Sequence, residues 1–224
     1  GNTHRCAVLA SGIVRCWGDG FGGKLGNGSG DTVGGPDVPA PSAFPSVSFT
    51  GGIAAAALSS QSSCVLLRDD STVRCWGRWS SAGVDTFIGD VPGETSDQFL
   101  EFPFGEPLTQ VDGGYLNFCG LDAQGRAVCW GAGNLGQLGN GATDFVGDSV
   151  LETPATFPRI AFGSPIINLD LDFQGGGACA VLSSGSLRCW GGSFGPSDTN
   201  TNIGDDELAS EAAPFIPIRP LSGT

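Results

Sequence analysis

Ala7-Val8-Leu9 and Ile13-Val14-Arg15 are short apolar runs on either side of Ala10-Ser11-Gly12, and the arrangement returns along the chain. Ala123-Gln124-Gly125 and Ser183-Ser184-Gly185 stand at the same place in later copies, and Asp69-Asp70 tips a version one residue longer. Glycine as the third of three loop residues suits a hairpin turn that needs one positive φ. Each copy therefore predicts an antiparallel hairpin. Further apolar segments precede the later hairpins at Val47 to Phe49, Leu108 to Val111 and Ile166 to Leu171. The first hairpin has none before it, because Gly1 stands only five residues ahead of Cys6. A last apolar segment, Phe215 to Leu221, falls where a fifth unit would start.

Composition agrees with β structure. The 224 residues include 38 glycines and 14 prolines, the two worst residues for a helix interior. At 40% apolar residues the chain still has enough to bury a core. The net charge is −13, with Lys24 the single lysine, so the surface repels phosphate backbones and nucleic-acid binding is not expected. No apolar run approaches the ~18 residues that a membrane-spanning helix needs. Gly1 reads as the start of a processed or excerpted chain.

The hairpins belong to a full-length repeat. Cys-Trp-Gly occurs four times, at Cys16, Cys75, Cys129 and Cys189, with tryptophans 59, 54 and 60 residues apart. A second cysteine, Cys6, Cys64, Cys119 or Cys179, precedes each triplet and accounts for all eight cysteines. The units are expected at about 1–45, 46–105, 106–163 and 164–214 of one array, with 215–224 supplying a strand to a first blade. A longer period overlies the short one. Leu25-Gly26-Asn27-Gly28 matches Leu138-Gly139-Asn140-Gly141, whereas the second and fourth units share Ile88-Gly89-Asp90 and Ile203-Gly204-Asp205. The order is ABAB.

Counting back from each turn sets the first cysteine opposite the second. Directly opposed antiparallel residues have Cα atoms ~4.5–5.5 Å apart, within reach of a disulfide. The predicted pairs are Cys6–Cys16, Cys64–Cys75, Cys119–Cys129 and Cys179–Cys189, with eight reduced buried thiols as the alternative. The spacings miss those of structural zinc sites. Four such bridges point to an oxidising compartment, secreted or displayed outside the cell. Side chains alternate across a strand, so each tryptophan points away from its neighbouring disulfide, towards an adjacent sheet. Trp79 stands outside the pattern as the tryptophan expected at the surface.

The run from Cys6 to Gly18, followed by Gly20 to Gly28 and by Gly133-Asn134-Leu135-Gly136-Gln137-Leu138-Gly139-Asn140-Gly141, resembles the regulator of chromosome condensation repeat. The likeness is closest to cysteine-containing secreted versions, and covers all four units. It implies a β-propeller whose members act through their surfaces: nucleotide exchange on a small GTPase, chromatin docking, or inhibition of a secreted enzyme. The expected fold is thus all-β, a propeller-like array of four antiparallel blades with one hairpin disulfide each.

Candidate chemistry is sparse. His4 is the only histidine, and its sister positions are Ser62, Asn117 and Gly177, so no catalytic role or triad is assigned. No cofactor site is expected. Asp31 with Asp37, Asp144 with Asp148, and above all Asp205-Asp206-Glu207 are oxygen-rich candidates for Ca²⁺, but none has the calcium-loop spacing. Asn27-Gly28-Ser29 is a glycosylation candidate at Asn27. Phe215, Ile216, Ile218 and Leu221 form a candidate assembly strand, completing the first sheet of the same chain or of a neighbour. The expected function is a non-enzymatic extracellular structural or interaction protein, assembling head to tail into a filament or longer array by strand completion, or binding another extracellular protein or glycan. The alternative is a monomeric secreted binding module, such as an enzyme inhibitor, with an exposed patch around Arg78 and Trp79.

Overall fold

A computed structural model describes residues 1–35, 42, 44–68, 72–81, 84–94, 96–147, 152, 154–174, 176–192 and 202–217. They form four antiparallel sheets and almost no helix. The first sheet joins β1 (His4–Val8), β2 (Ile13–Gly18) and β3 (Ser46–Ser48). The second joins β4 (Ile53–Leu58), β5 (Ser62–Leu67), β6 (Thr72–Ser81), β7 (Val84–Ile88) and β8 (Leu100–Pro103). The third runs β9 (Leu108–Gly113), β10 (Asn117–Asp122), β11 (Ala127–Gly131) and β12 (Arg159–Ile160). The fourth runs β13 (Ile166–Leu171), β14 (Gly177–Leu182), β15 (Ser186–Gly191) and β16 (Phe215–Pro217).

All four disulfides form between directly opposed residues, with Cα separations of 4.0 to 4.1 Å. The glycine after each Cys-Trp pair is fixed by two constraints. Gly18, Gly77, Gly131 and Gly191 have φ of 99 to 108°. A Cβ on any of them would also sit 2.4 to 2.6 Å from a backbone oxygen of the strand entry opposite. Only glycine meets both demands.

Two strands lie elsewhere than the sequence reading placed them. Val47 belongs to β3, which pairs with β2 in the first sheet rather than opening the second. Likewise Phe215–Pro217 pairs with β15 in the fourth sheet, and so does not complete the first. Ile218 and Leu221 lie outside the described residues. The reason is that each Cys-Trp-Gly strand has two edges: one takes its hairpin partner, the other takes the strand arriving after the long loop. The strand that really opens the second sheet is Ile53-Ala-Ala-Ala-Ala-Leu58, whose alanines carry little alternation.

The sheets stack in chain order. β1 lies beside β4, β4 beside β9 and β9 beside β13, and the sustained contacts among the described residues do not return from the fourth sheet to the first. Each sheet after the first turns its indole towards the sheet before it. Trp130 meets Phe102 and Phe104, from β8 and just beyond it, and Trp190 meets Phe162, which follows β12. Trp76, Trp130 and Trp190 are buried. Trp79 is buried too, contrary to expectation. It stands four residues from Cys75, on the disulfide face, where it stacks on Phe118 and touches Phe102.

Candidate interaction surfaces

The ABAB order has a physical cause. After its Cys-Trp-Gly strand the first unit makes a tight loop, and the Lys24 carbonyl accepts the Trp76 Nε1–H at 3.0 Å. In the third unit the Gln137 carbonyl accepts the Trp190 Nε1–H at 3.1 Å. Gly26 lies against the Trp76 indole and Gly139 against that of Trp190, both at positive φ. Gly28 N–H donates to Gly89 C=O at 3.0 Å, and Gly141 N–H donates to Gly204 C=O at 3.2 Å. Leu-Gly-Asn-Gly is thus a key and Ile-Gly-Asp its receptor. They lock the first sheet to the second and the third to the fourth. Among the described residues the second-to-third contact has no such loop: Trp79, Phe102, Phe104, Phe118 and Trp130 fill it with rings, and Trp130 Nε1 finds no partner there.

His4 takes part in the first lock. Its Nε2 lies 2.9 Å from Ser63 Oγ, and the Ser63 hydroxyl donates to the Lys24 carbonyl at 2.8 Å. The hydroxyl has one proton, so Nε2 carries the hydrogen and donates to it. His4 therefore cannot act as a base on Ser63, which is itself fully buried. Burial, and then the positive charges around the ring, lower its pKa from 6.5 to about 3. Lys24 is spent on Asp19 at 2.5 Å and on the Thr3 hydroxyl at 2.9 Å.

Among the described residues, Asp205, Asp206 and Glu207 are the one group of three ligating side chains brought together, within 4.8 Å. Glu207 has an evident structural duty, accepting the Gly204 N–H at 3.2 Å. Glu94 accepts from Gly89, Asp90 and Val91, and Glu152 accepts from Gly147. A carboxylate capping the amides of a glycine loop thus recurs in three units. Asp31 bonds Ser29, Asp144 is exposed, and Asp37 and Asp148 lie outside the described residues. Asn27 is half-buried, its Oδ1 enclosed without a partner. Its counterpart Asn140, which is no glycosylation sequon, uses Oδ1 to accept the Ala142 N–H. Both asparagines sit in the loop that fits the next sheet.

Three surface features remain. Phe21 is 61% exposed and meets Phe87 edge-on, with centroids 6.0 Å apart. Arg78 lies nearby, paired to Asp85 at 2.7 Å and to Gln61 at 2.8 Å. The second feature is the indole face of the first sheet. Trp17 is half-buried there and, with Phe44, Leu9 and Arg15, lines an apolar hollow of about 370 Å³. The third is the disulfide face of the fourth sheet, where Cys179, Val181, Leu187, Asn168 and Asp170 line a groove of about 570 Å³. Cys64 and Cys119, its counterparts inside the stack, are fully buried, whereas Cys179 is half-buried.

Solved structures of the same architecture include human WBSCR16, with a TM-score of 0.61, 16% identity, and coverage of 96% of this chain and 50% of that one. Yeast Prp20 from Saccharomyces cerevisiae aligns with a TM-score of 0.60 and 14% identity, over 94% of this chain and 49% of its own. This chain has the fold of an RCC1-like β-propeller. The receptor kinase CR4 ectodomain of Physcomitrella patens aligns at a TM-score of 0.50 and 19% identity, over 88% of this chain and 40% of that one. No family model and no curated protein matches the sequence. The RCC1-like chain spans about half the length of the propellers it matches. Prp20 is seen bound to Kap60, and its binding to Gsp1p and histones is described. RCC1-like propellers of this kind thus include binders of partner proteins.

Proposed function

We propose that this RCC1-like chain is a non-enzymatic extracellular structural and interaction module that joins copies of itself head to tail. One observation carries the reading. The indole face of the first sheet and the disulfide face of the fourth are the two opposite halves of the contact made inside the stack. Each lacks its complement among the described residues. Faces of that kind bury apolar area when joined. Four cross-strand disulfides fit an oxidising compartment, and a receptor-kinase ectodomain among the structural neighbours is in keeping with it. The His4–Ser63 pair and Lys24 serve packing, which favours a non-catalytic role.

Sedimentation of the oxidised chain over a range of concentration tests this reading. Species heavier than 22.7 kDa should accumulate as concentration rises. A constant monomer up to about 100 μM, a limit of roughly 5.5 kcal/mol, would refute it.

A second reading, a monomeric binding module, is favoured by the Phe21–Phe87 pair beside Arg78. Aromatic and arginine side chains are those most enriched at binding hot spots. The patch lies next to the expected one, with Phe21 and Phe87 in place of the buried Trp79.

A further inference from the structure

Resting on the head-to-tail reading, the geometry points to a specific joint: the Trp17 face of one copy seats on the Cys179–Cys189 face of the next, as the third sheet seats on the second. The partner is a second copy of this chain. Register and charge select it, and a polar pair on the fourth sheet bears on it.

The first is register. Trp17 and Arg5 form a cross-strand pair as Trp130 and Phe118 do, and both pairs lie opposite their own disulfide. Val181 and Leu187 form a pair on the disulfide side of the fourth sheet, two residues from Cys179 and Cys189. Val73 stands in the same way two residues from Cys75, with Phe102 paired to it and touching Trp130. The order of types also matches. A fourth sheet followed by a first repeats the B-to-A step that second-to-third makes, and this step uses no Leu-Gly-Asn-Gly key.

The second is a polar ladder on the opening strand of the third sheet, whose rungs recur on that of the fourth. In β9, Gln110 Oε1 accepts the Leu169 N–H at 3.2 Å and Gln110 Nε2 donates to the Leu169 carbonyl at 2.5 Å. Asp112 accepts the Leu171 N–H at 2.9 Å. These side chains hold the next sheet by its backbone. Asp112 lies opposite Cys119 and Asp170 lies opposite Cys179, so Asn168 and Asp170 are the same two rungs one sheet further on. Both are exposed. In the second-to-third step Ala55 and Ala57 hold these rungs, and among the described residues the first sheet has no strand in the place of β13, so across the joint Asn168 and Asp170 would meet side chains of β1 rather than a backbone.

The third is charge. The chain as a whole carries −13, which opposes self-association, yet the two faces differ in sign. Arg5 and Arg15 stand on the Trp17 face, and Asp170 and Asp172 on the opposing one. Complementary patches on a like-charged molecule set both register and direction.

Charge exchange tests the joint. Arg5→Asp and Asp170→Arg change exposed side chains, and circular dichroism with disulfide mapping should show both folded. Each variant alone should self-associate at least tenfold more weakly than the parent in sedimentation. Mixed one to one they should associate again, since each junction then brings Arg against Asp. Undiminished association of both variants, or no recovery on mixing, would overturn this joint while leaving self-assembly by another surface. A parent chain that stays monomeric would instead overturn the head-to-tail reading itself.

Discussion

At the scale of the residue, the four tryptophans share a motif but not an environment. Trp76 and Trp190 each donate an indole N–H to a loop carbonyl, whereas Trp130 has no acceptor and Trp17 is half-buried. Trp190→Phe should therefore lower stability by about 1–3 kcal/mol more than Trp130→Phe, because it leaves the Gln137 carbonyl buried and unpaired. Denaturant midpoints of the oxidised proteins measure the difference. His4 contributes a pH dependence of its own. The folded chain keeps it neutral down to about pH 3, while the unfolded chain takes up a proton below 6.5. The unfolded state then binds more protons, so stability falls as pH drops from 6.5 towards 3. His4→Asn, the residue at sister position 117, should flatten that decline, read as urea midpoints at pH 7 and about pH 4.5. The disulfide partners were legible in the sequence, because turn length alone fixes which residues oppose each other. The burial of Trp79 was missed: its even spacing from Cys75 puts it on the disulfide face, but only the packing of the third sheet against the second encloses it there.

At the scale of the element, pairing obeys local spacing where the connection is short and escapes it where the connection is long. The hairpins follow from three- and four-residue turns. The strand arriving after each long loop could join either side, and Val47 and Phe215 show the outcome: both pair with the preceding Cys-Trp-Gly strand. The alanine run of β4 gave too weak a pattern to claim the place of an opening strand. The motifs Leu-Gly-Asn-Gly and Ile-Gly-Asp were visible as an alternation, but their contact is three-dimensional and left no trace in spacing. Gly139→Ala tests it. A Cβ there would lie 2.7 Å from Ile160 Cδ1 and 2.9 Å from Trp190 Nε1, at a φ of +64°. The substitution should cost about 1–3 kcal/mol. It should also speed hydrogen exchange at Gly204, Ala209 and the Trp190 indole, with the first and second sheets unaffected. Equal acceleration in all four sheets would argue against a pairwise lock.

At the scale of the whole molecule, four sheets stack in chain order through two alternating kinds of contact, a glycine-loop lock and a ring-filled seam, and among the described residues no further sheet covers the indole face of the first or the disulfide face of the fourth. The repeats disclosed four hairpins and their cysteine pairs, while the direction of stacking emerges only from which face each disulfide and indole takes. Hydrogen–deuterium exchange at rising protein concentration probes this most directly. Protection should grow in residues 4–18 and 166–191 together, with β5 and β10 unchanged. Protection centred on Phe21 and Phe87, or none at any concentration, would contradict the account.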